Sequence, residues 1–249
     1  MLPKAEIIQF DVLLLAAGFG KRLLPITQCI PKCLVPINGR PLLEYWLELL
    51  TKFNHRGHIY INTHYLHGQV RDFISNRHTK KQITIINEVE LLGTAGTLCE
   101  LSPKLTCDNL LLVHADNLSL FNLSEFFLAH KNRPSKCQMT MMTFETDTPQ
   151  SCGIVELNEN QILIGYEEKP INPKSRCANA AVYFLDRVAL EKIKSLESPF
   201  EFSVDIVPKF IDKTYIWQNL IYHRDIGTPA SYNIAGREFP DIYKTFYET

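Results

Sequence analysis

The feature that most constrains this chain is an apolar strand that runs into a glycine turn and is followed at once by cations. The stretch reads Leu13-Leu14-Leu15-Ala16-Ala17-Gly18-Phe19-Gly20-Lys21-Arg22-Leu23-Leu24-Pro25-Ile26-Thr27, and Ile30-Pro31-Lys32-Cys33-Leu34-Val35-Pro36 comes soon after. Glycines let backbone N–H groups approach an anion, and Lys21, Arg22 and Lys32 supply the opposing charge. This is the layout of a polyphosphate site. A buried strand with a solvated turn is the plain alternative, and the second basic segment argues against it. Two common phosphate motifs are excluded. Leu23 occupies the place of the third glycine of G-x-G-x-x-G, and no acidic residue clearly ends a second strand near 61–63. No G-x-x-x-x-G-K-[ST] occurs.

Length and charge narrow the class. A chain of 249 residues fits one large α/β domain or two small ones. A formal net charge of −1 gives no global field for nucleic acid, so phosphate binding must be local. No apolar run is long enough to span a membrane. The N-terminus lacks a secretory pattern, which leaves a cytoplasmic location as the expectation. The seven cysteines include no C-x-x-C pair and no zinc set, so reduced thiols are expected.

Strands are predicted over 12–16, 58–62, 83–87 and 110–114, with helices over 41–53, 66–76 and 94–101 between them. This alternation implies a mostly parallel sheet covered on both faces, with ligands beyond the carboxyl ends of the strands. Gly18, Glu88 and Asp116 each lie just past such an end. After a helix at 123–131, strands are predicted over 138–145, 153–157, 161–167 and 178–185, with a hairpin turn at Asn158-Glu159-Asn160. Helices at 188–196 and 204–211, a strand near 215–223 and a helix from Pro229 complete the pattern. One domain over 1–249 is the expectation, with a nucleotide-binding half to about 120 and a sugar-binding half from about 121. No room is expected for an appended repeat domain.

The first segment resembles the signature of the sugar-1-phosphate nucleotidylyltransferases, G-x-G-x-R-[LMF]-x-P-x-T followed by P-K-x-[LMV]-x-P. Gly18, Gly20, Arg22, Leu23, Pro25, Thr27, Pro31, Lys32, Leu34 and Pro36 all match. The likeness extends in order to about residue 235. It implies a Rossmann-like three-layer α/β sandwich about a mixed, mostly parallel sheet. It also implies transfer of a nucleotidyl group from a triphosphate to a sugar 1-phosphate.

On this resemblance, backbone around Leu15, Ala16, Ala17, Gly18, Gly20 and Lys21 cradles the nucleotide, while Arg22 and Lys32 stabilise phosphate charge. Lys21 stands where the family has Thr. Glu88, before Leu92-Gly93-Thr94-Ala95-Gly96, holds the position that contacts the nucleobase. A carboxylate can accept from two guanine donors, which favours GTP over UTP or dTTP. The Leu-Gly-Thr-Ala-Gly turn, with Gly93 and Thr94, resembles that of the mannose- and heptose-1-phosphate guanylyltransferases. Asp116 and Asp225 match the metal aspartates and imply Mg²⁺, with Ala115 replacing the usual Gly. Asn117, Gly153, Glu168 and Asn179 match sugar-binding positions, and Lys169 of Glu168-Lys169-Pro170 would hold the sugar phosphate. Ala181 stands where the family has Gly. A uridylyl- or thymidylyltransferase is the nearest alternative. A non-catalytic sugar-nucleotide sensor on the same fold is an alternative of another kind. A homo-oligomer is compatible with either.

Overall fold

The computed structural model describes residues 9–53, 56–77 and 82–248; the reading of the N-terminal segment falls mostly outside them. The first half contains β1 (Asp11–Leu15), β2 (Pro36–Ile37), β3 (Arg40–Pro41), α1 (Leu42–Lys52), β4 (Ile59–Thr63), α2 (His67–Ser75), β5 (Ile83–Asn87), α3 (Gly93–Leu101) and β6 (Asn109–His114). Then follow β7 (Asn117–Leu120), α4 (Leu123–Lys131), β8 (Met139–Glu145), β9 (Gly153–Leu157), β10 (Leu163–Glu168) and β11 (Cys177–Asp186). Last come α5 (Arg187–Lys194), β12 (Thr214–Gln218), β13 (Tyr222–Asp225) and α6 (Pro229–Glu248).

The central sheet is mixed, in the order β10-β9-β11-β6-β1-β4-β5, with β8 also paired to β11 and β12 beside β8. β6, β1, β4 and β5 run parallel, whereas β11 is antiparallel to β6 and to β8. Successive strand residues face opposite ways, and the burial follows that alternation. Val12 and Leu14 join a core with Leu43, Trp46, Val70 and Phe126. Leu13 and Leu15 join a second core with Leu98, Leu101, Leu190 and Phe202. Helices therefore cover both faces, which is the expected three-layer α/β class. A third cluster packs Tyr45, Leu118, Leu120 and Tyr222 against Ala235 and Phe239 of α6. The chain crosses from β5 back to β6, on the other side of β1. This leaves a switch point between β1 and β6, where an open α/β sheet forms its crevice.

Two expectations change. The helix at 204–211 is a π turn, Phe202–Ile206, followed by a 3₁₀ turn, Val207–Phe210. Pro208 lacks the N–H that a continuous α-helix would use there. The strand near 215–223 is two strands in different sheets: β12 extends the main sheet, and β13 pairs with β7. Between them Asn219 Oδ1 accepts from the Ile221 N–H at 3.0 Å, an Asx turn that reverses the chain. The short hairpin β2–β3, unread in the sequence, turns on Asn38 and Gly39 at φ +49° and +75°. The hairpin turn after β9 is as expected, with Asn158 Oδ1 accepting from Asn160 and Ile162 N–H groups, each at 3.0 Å.

Candidate functional site

The glycine turn leaves the carboxyl end of β1. Ala16 N–H donates to Asn62 Oδ1 at 2.7 Å, which fixes where the chain departs from the sheet. Gly20 sits at φ +63°, and a Cβ there would lie 2.8 Å from Thr27 Cγ2 and 3.2 Å from Lys32 Cβ. Only glycine meets both demands without strain. Thr27 Oγ1 donates to the Gly20 carbonyl at 2.8 Å and ties the turn to the second basic segment. At Gly18 nothing lies within 4 Å of an added Cβ, so this backbone faces open space. Lys21 lies 5.2 Å from the Phe19 ring centroid.

Asp116 follows β6, and the Ala115 N–H continues the ladder to the Leu15 carbonyl at 3.0 Å. Asp225 ends β13, where it is in register with Asn117 of β7. This pairing brings a carboxylate from the far end of the chain to the first aspartate. Lys32 Nζ donates to Asp116 Oδ2 at 2.8 Å and to Asp225 Oδ1 at 3.2 Å. Its side chain is 6% exposed, against 32% and 40% for the two carboxylates. Burial pushes the ammonium pKa down, but the charges of Asp116 and Asp225 outweigh burial and the net shift is upward. Burial likewise pushes Asp116 up, and Lys32 and His114 reverse it to a net lowering. Arg22 reaches Asp225 Oδ2 at 3.4 Å from an exposed position. Gly227, not singled out in the sequence, leaves these side-chain ends room: a Cβ there would lie 2.7 Å from Asp225 Oδ2 and 2.8 Å from Arg22 Nη2, so one of them would have to shift.

Two cavities flank this charged centre. One, of about 230 Å³, is lined by Leu15, Ala17, Gly18, Glu88, Gly93 and Thr94, and also by Asn62, Leu91, His114, Asp116, Phe200 and Glu201. The other, of about 460 Å³, includes Arg22, Cys152, Arg176, His223, Arg224 and Asp225. Between them a cleft is lined by Phe19, Gly20, Lys21, Arg22, Lys32, Asp116 and Gly227.

Glu88 is buried, and protein groups already hold it. Its Oε1 accepts from Asn62 Nδ2 at 2.9 Å and Thr97 Oγ1 at 2.5 Å, and its Oε2 from the Leu92 N–H at 3.3 Å. Thr94 does not cap its helix. Its hydroxyl donates to Glu201 Oε2 at 3.0 Å and accepts from the Phe202 N–H at 2.7 Å. Gly93, at φ +73°, lets the Phe200 carbonyl approach, since a Cβ would lie 2.4 Å from that oxygen. The segment 200–202 thus closes one side of the first cavity, a wall the sequence reading missed because its contacts are over a hundred residues distant.

The sugar-binding candidates form one hydrogen-bonded patch. Tyr166 hydroxyl donates to Glu168 and receives Asn179 Nδ2 at 3.5 Å. Asn179 also donates to Tyr183 Oη at 2.6 Å and accepts from the Ala181 N–H at 2.9 Å. A Cβ on Gly153 would lie 2.1 Å from the Tyr166 hydroxyl, so glycine is required there by protein packing. The Lys169 side chain is 61% exposed and 3.6 Å from Glu168; it is not among the residues that line either cavity, but its N–H donates at 3.0 Å to the carbonyl of Cys152, which lines the second. The Asn117 backbone carbonyl accepts from Trp46 Nε1 at 2.9 Å.

Ala181 adopts φ +54° within an irregularity of the β11–β8 register. The glycine of the related motif is therefore matched by a left-handed backbone, which Asn179 secures. Among the described residues no group of three or more His, Cys, Asp or Glu side chains could hold a metal. The pair Asp116 and Asp225 still offers hard oxygen donors converging on one cation, the set Mg²⁺ takes when phosphate and water complete its shell. No described helix is long and apolar enough to cross a membrane.

Comparison with known proteins gives a family and a fold. Residues 11–241 match the nucleotidyl transferase family. The chain is 28% identical over 230 residues to a D-glycero-alpha-D-manno-heptose 1-phosphate guanylyltransferase of Aneurinibacillus thermoaerophilus, covering 92% of this chain and 97% of that protein. It is 27% identical over 228 residues to a putative mannose-1-phosphate guanyltransferase of Sulfolobus acidocaldarius, covering 89% of this chain; the chain spans only 61% of that relative's length. The fold matches a putative glucose-1-phosphate thymidylyltransferase of Bacillus anthracis at a TM-score of 0.81, with 24% identity over 92% of this chain and 94% of the other.

Proposed function

The chain belongs to the nucleotidyl transferase family, and from that premise we propose that it joins a sugar 1-phosphate to a nucleoside triphosphate, with GTP as the donor. The observation that carries this is the charged centre. Arg22 and Lys32 meet Asp116 and Asp225 across as many as 203 residues of sequence. Such a centre has little use in a purely structural role, since a solvated turn needs no buried ammonium between two carboxylates.

The nucleoside would occupy the cavity that contains Glu88, with its phosphates over Gly18, Gly20 and Lys21 in the cleft. The sugar-phosphate oxygen would attack the α-phosphorus in line. A new P–O bond forms as the bond to the β-phosphate oxygen breaks and pyrophosphate departs. The attacking phosphate is already ionised, so no protein nucleophile is needed. Catalysis then rests on positioning and charge neutralisation. Arg22 and Lys32 would neutralise the departing charge. Asp116 and Asp225 would hold Mg²⁺, which supplies Lewis-acid charge stabilisation at the phosphates. Lys169, exposed beside Glu168, would orient the incoming phosphate.

The names of the relatives support guanylyl transfer, and Glu88 Oε2 has one long backbone partner, which leaves it acceptor capacity for a base. A thymidylyltransferase shares the fold, so fold alone does not choose the base. The test is pyrophosphate release from GTP, ATP, CTP, UTP and dTTP against a panel of sugar 1-phosphates, with and without Mg²⁺. Release with GTP above the others is the expected result. A preference for UTP or dTTP would overturn the guanylyl part, and no release from any pair would overturn the transferase.

A further inference from the structure

His114 and Glu201 carry no role in the account above, yet both face the nucleoside cavity. Nε2 of His114 is buried and has no hydrogen-bond partner. A buried polar nitrogen left unpaired costs free energy, so its retention calls for a partner that arrives later. Glu201 enters the cavity from the opposite wall. Thr94 hydroxyl holds its Oε2 at 3.0 Å, and no hydrogen bond engages Oε1 among the described residues.

Sheet order and the cavity lining point to the part of a nucleotide that lies there. Glu88, the base-end group, follows β5, while Asp116, the phosphate-end group, follows β6, and β1 and β4 lie between. Strands are spaced about 4.8 Å apart, so these ends are separated by roughly 14 Å. His114 ends β6 itself, just before Asp116 and in register with Leu15 of β1, and it lines the same cavity that Glu88 lines from the β5 side. The part of a nucleotide between its base and its α-phosphate is the sugar ring. A ribose presents two adjacent hydroxyls, which suit one imidazole nitrogen and one carboxylate oxygen. A hydroxyl pairs with an imidazole nitrogen in either tautomer.

We propose that His114 and Glu201 form a ribose-reading pair that selects ribonucleoside over deoxyribonucleoside triphosphates. This rests on the nucleotide occupying the cavity as proposed above.

The test is calorimetric binding of GTP, 2′-deoxy-GTP and 3′-deoxy-GTP to the full chain, for wild type, His114→Phe and Glu201→Ala. If the base preference proves to be another, the same ribo and deoxy series of that base serves. Wild type should bind the ribonucleotide about tenfold or more tightly than at least one deoxy form, the worth of one hydrogen bond to a buried or charged group. Each variant should bring that ratio towards one. Equal affinity for all three nucleotides in wild type would overturn the pair while leaving the transferase intact. A proportionate loss for all three in the variants would show a merely structural role and overturn it too. No binding of any triphosphate would overturn the transferase reading itself.

Discussion

The ammonium of Lys32 lies 2.8 Å from Asp116, in the position a divalent cation would contest. The same ammonium reaches Asp225 at 3.2 Å, so one buried cation holds together carboxylates from the two halves of the chain. The charges balance without a ligand: Lys32 and Arg22 face Asp116 and Asp225.

Lys32→Met should therefore do two things. It should lower kcat by about 10²–10³, the usual cost of losing a donor aimed at developing charge. It should also destabilise the metal-free protein by on the order of 1–3 kcal/mol, moderated because both carboxylates are partly exposed. Mg²⁺ should restore more stability in the variant than in wild type, because two unopposed carboxylates attract it. Thermal melts with and without Mg²⁺ check this. An equal Mg²⁺ response in the two proteins would contradict the shared site.

Asp116→Asn and Asp225→Asn should each depress kcat by roughly a hundredfold or more at saturating Mg²⁺, since the metal supplies several kcal/mol of charge stabilisation. Arg22→Ala should lose kcat, whereas Lys169→Ala should mainly raise KM for the sugar phosphate. Near-normal turnover in both aspartate variants would remove the metal from the mechanism.

The sequence made legible what depends on short spacing. The glycine turn with its cations, the strand ends bearing Glu88 and Asp116, and the Asn158 turn all appear where their residues predict. The paired strands β7 and β13 were not legible, because neither is long enough to show a period and each is defined only by the other. The wall at 200–202 was missed for a similar reason: Gly93 reads as a helix start until the Phe200 carbonyl is seen against it. Asn38-Gly39 is a plain hairpin signal, but Pro36 and Pro41 on either side obscure the two-residue strands that flank it. Asn179 appeared as a sugar ligand, yet its amide is committed at both ends to protein groups.

Ala181→Gly should stabilise the protein by roughly 0.5–1 kcal/mol. An alanine at φ +54° bears a left-handed strain that glycine lacks, offset in part by glycine's greater freedom when unfolded. Ala181→Val should lower the melting temperature, as a β-branched side chain fits that backbone worse. A glycine variant that melts lower than wild type would contradict the strain.

His130 makes stability depend on pH. It is fully buried, with Nδ1 2.9 Å from Thr140 Oγ1 and Nε2 3.1 Å from Asn109 Oδ1. Burial first, then the charges of Arg133 and Lys131, lower its pKa to about 2. The unfolded chain takes up a proton near pH 6.5 and the native state does not, so stability falls as pH drops below that value. The slope from this residue is up to about 1.4 kcal/mol per pH unit. Urea denaturation at pH 7.5 and 5.5 should show a larger loss in wild type than in His130→Gln, and parallel losses would exclude His130 as the source.

Glu88→Gln tests the base. The glutamate has two tasks: Oε1 holds Asn62 and Thr97, and Oε2 accepts the Leu92 N–H. In the variant the amide oxygen should keep Asn62 and Thr97, because both can donate. The amide NH₂ then faces the Leu92 N–H, donor against donor, which should cost on the order of 1 kcal/mol of stability. That same NH₂ can donate to a uracil carbonyl but no longer accepts from guanine. The ratio of kcat/KM for GTP over UTP should therefore fall, and a site built on such hydrogen bonds should shift it strongly. Rates measured for both triphosphates with one accepted sugar phosphate decide the matter. If the variant loses stability while its GTP preference stays intact, Glu88 only braces Asn62 and the turn at Leu92, and the base is read by backbone groups around Gly18 and Gly93.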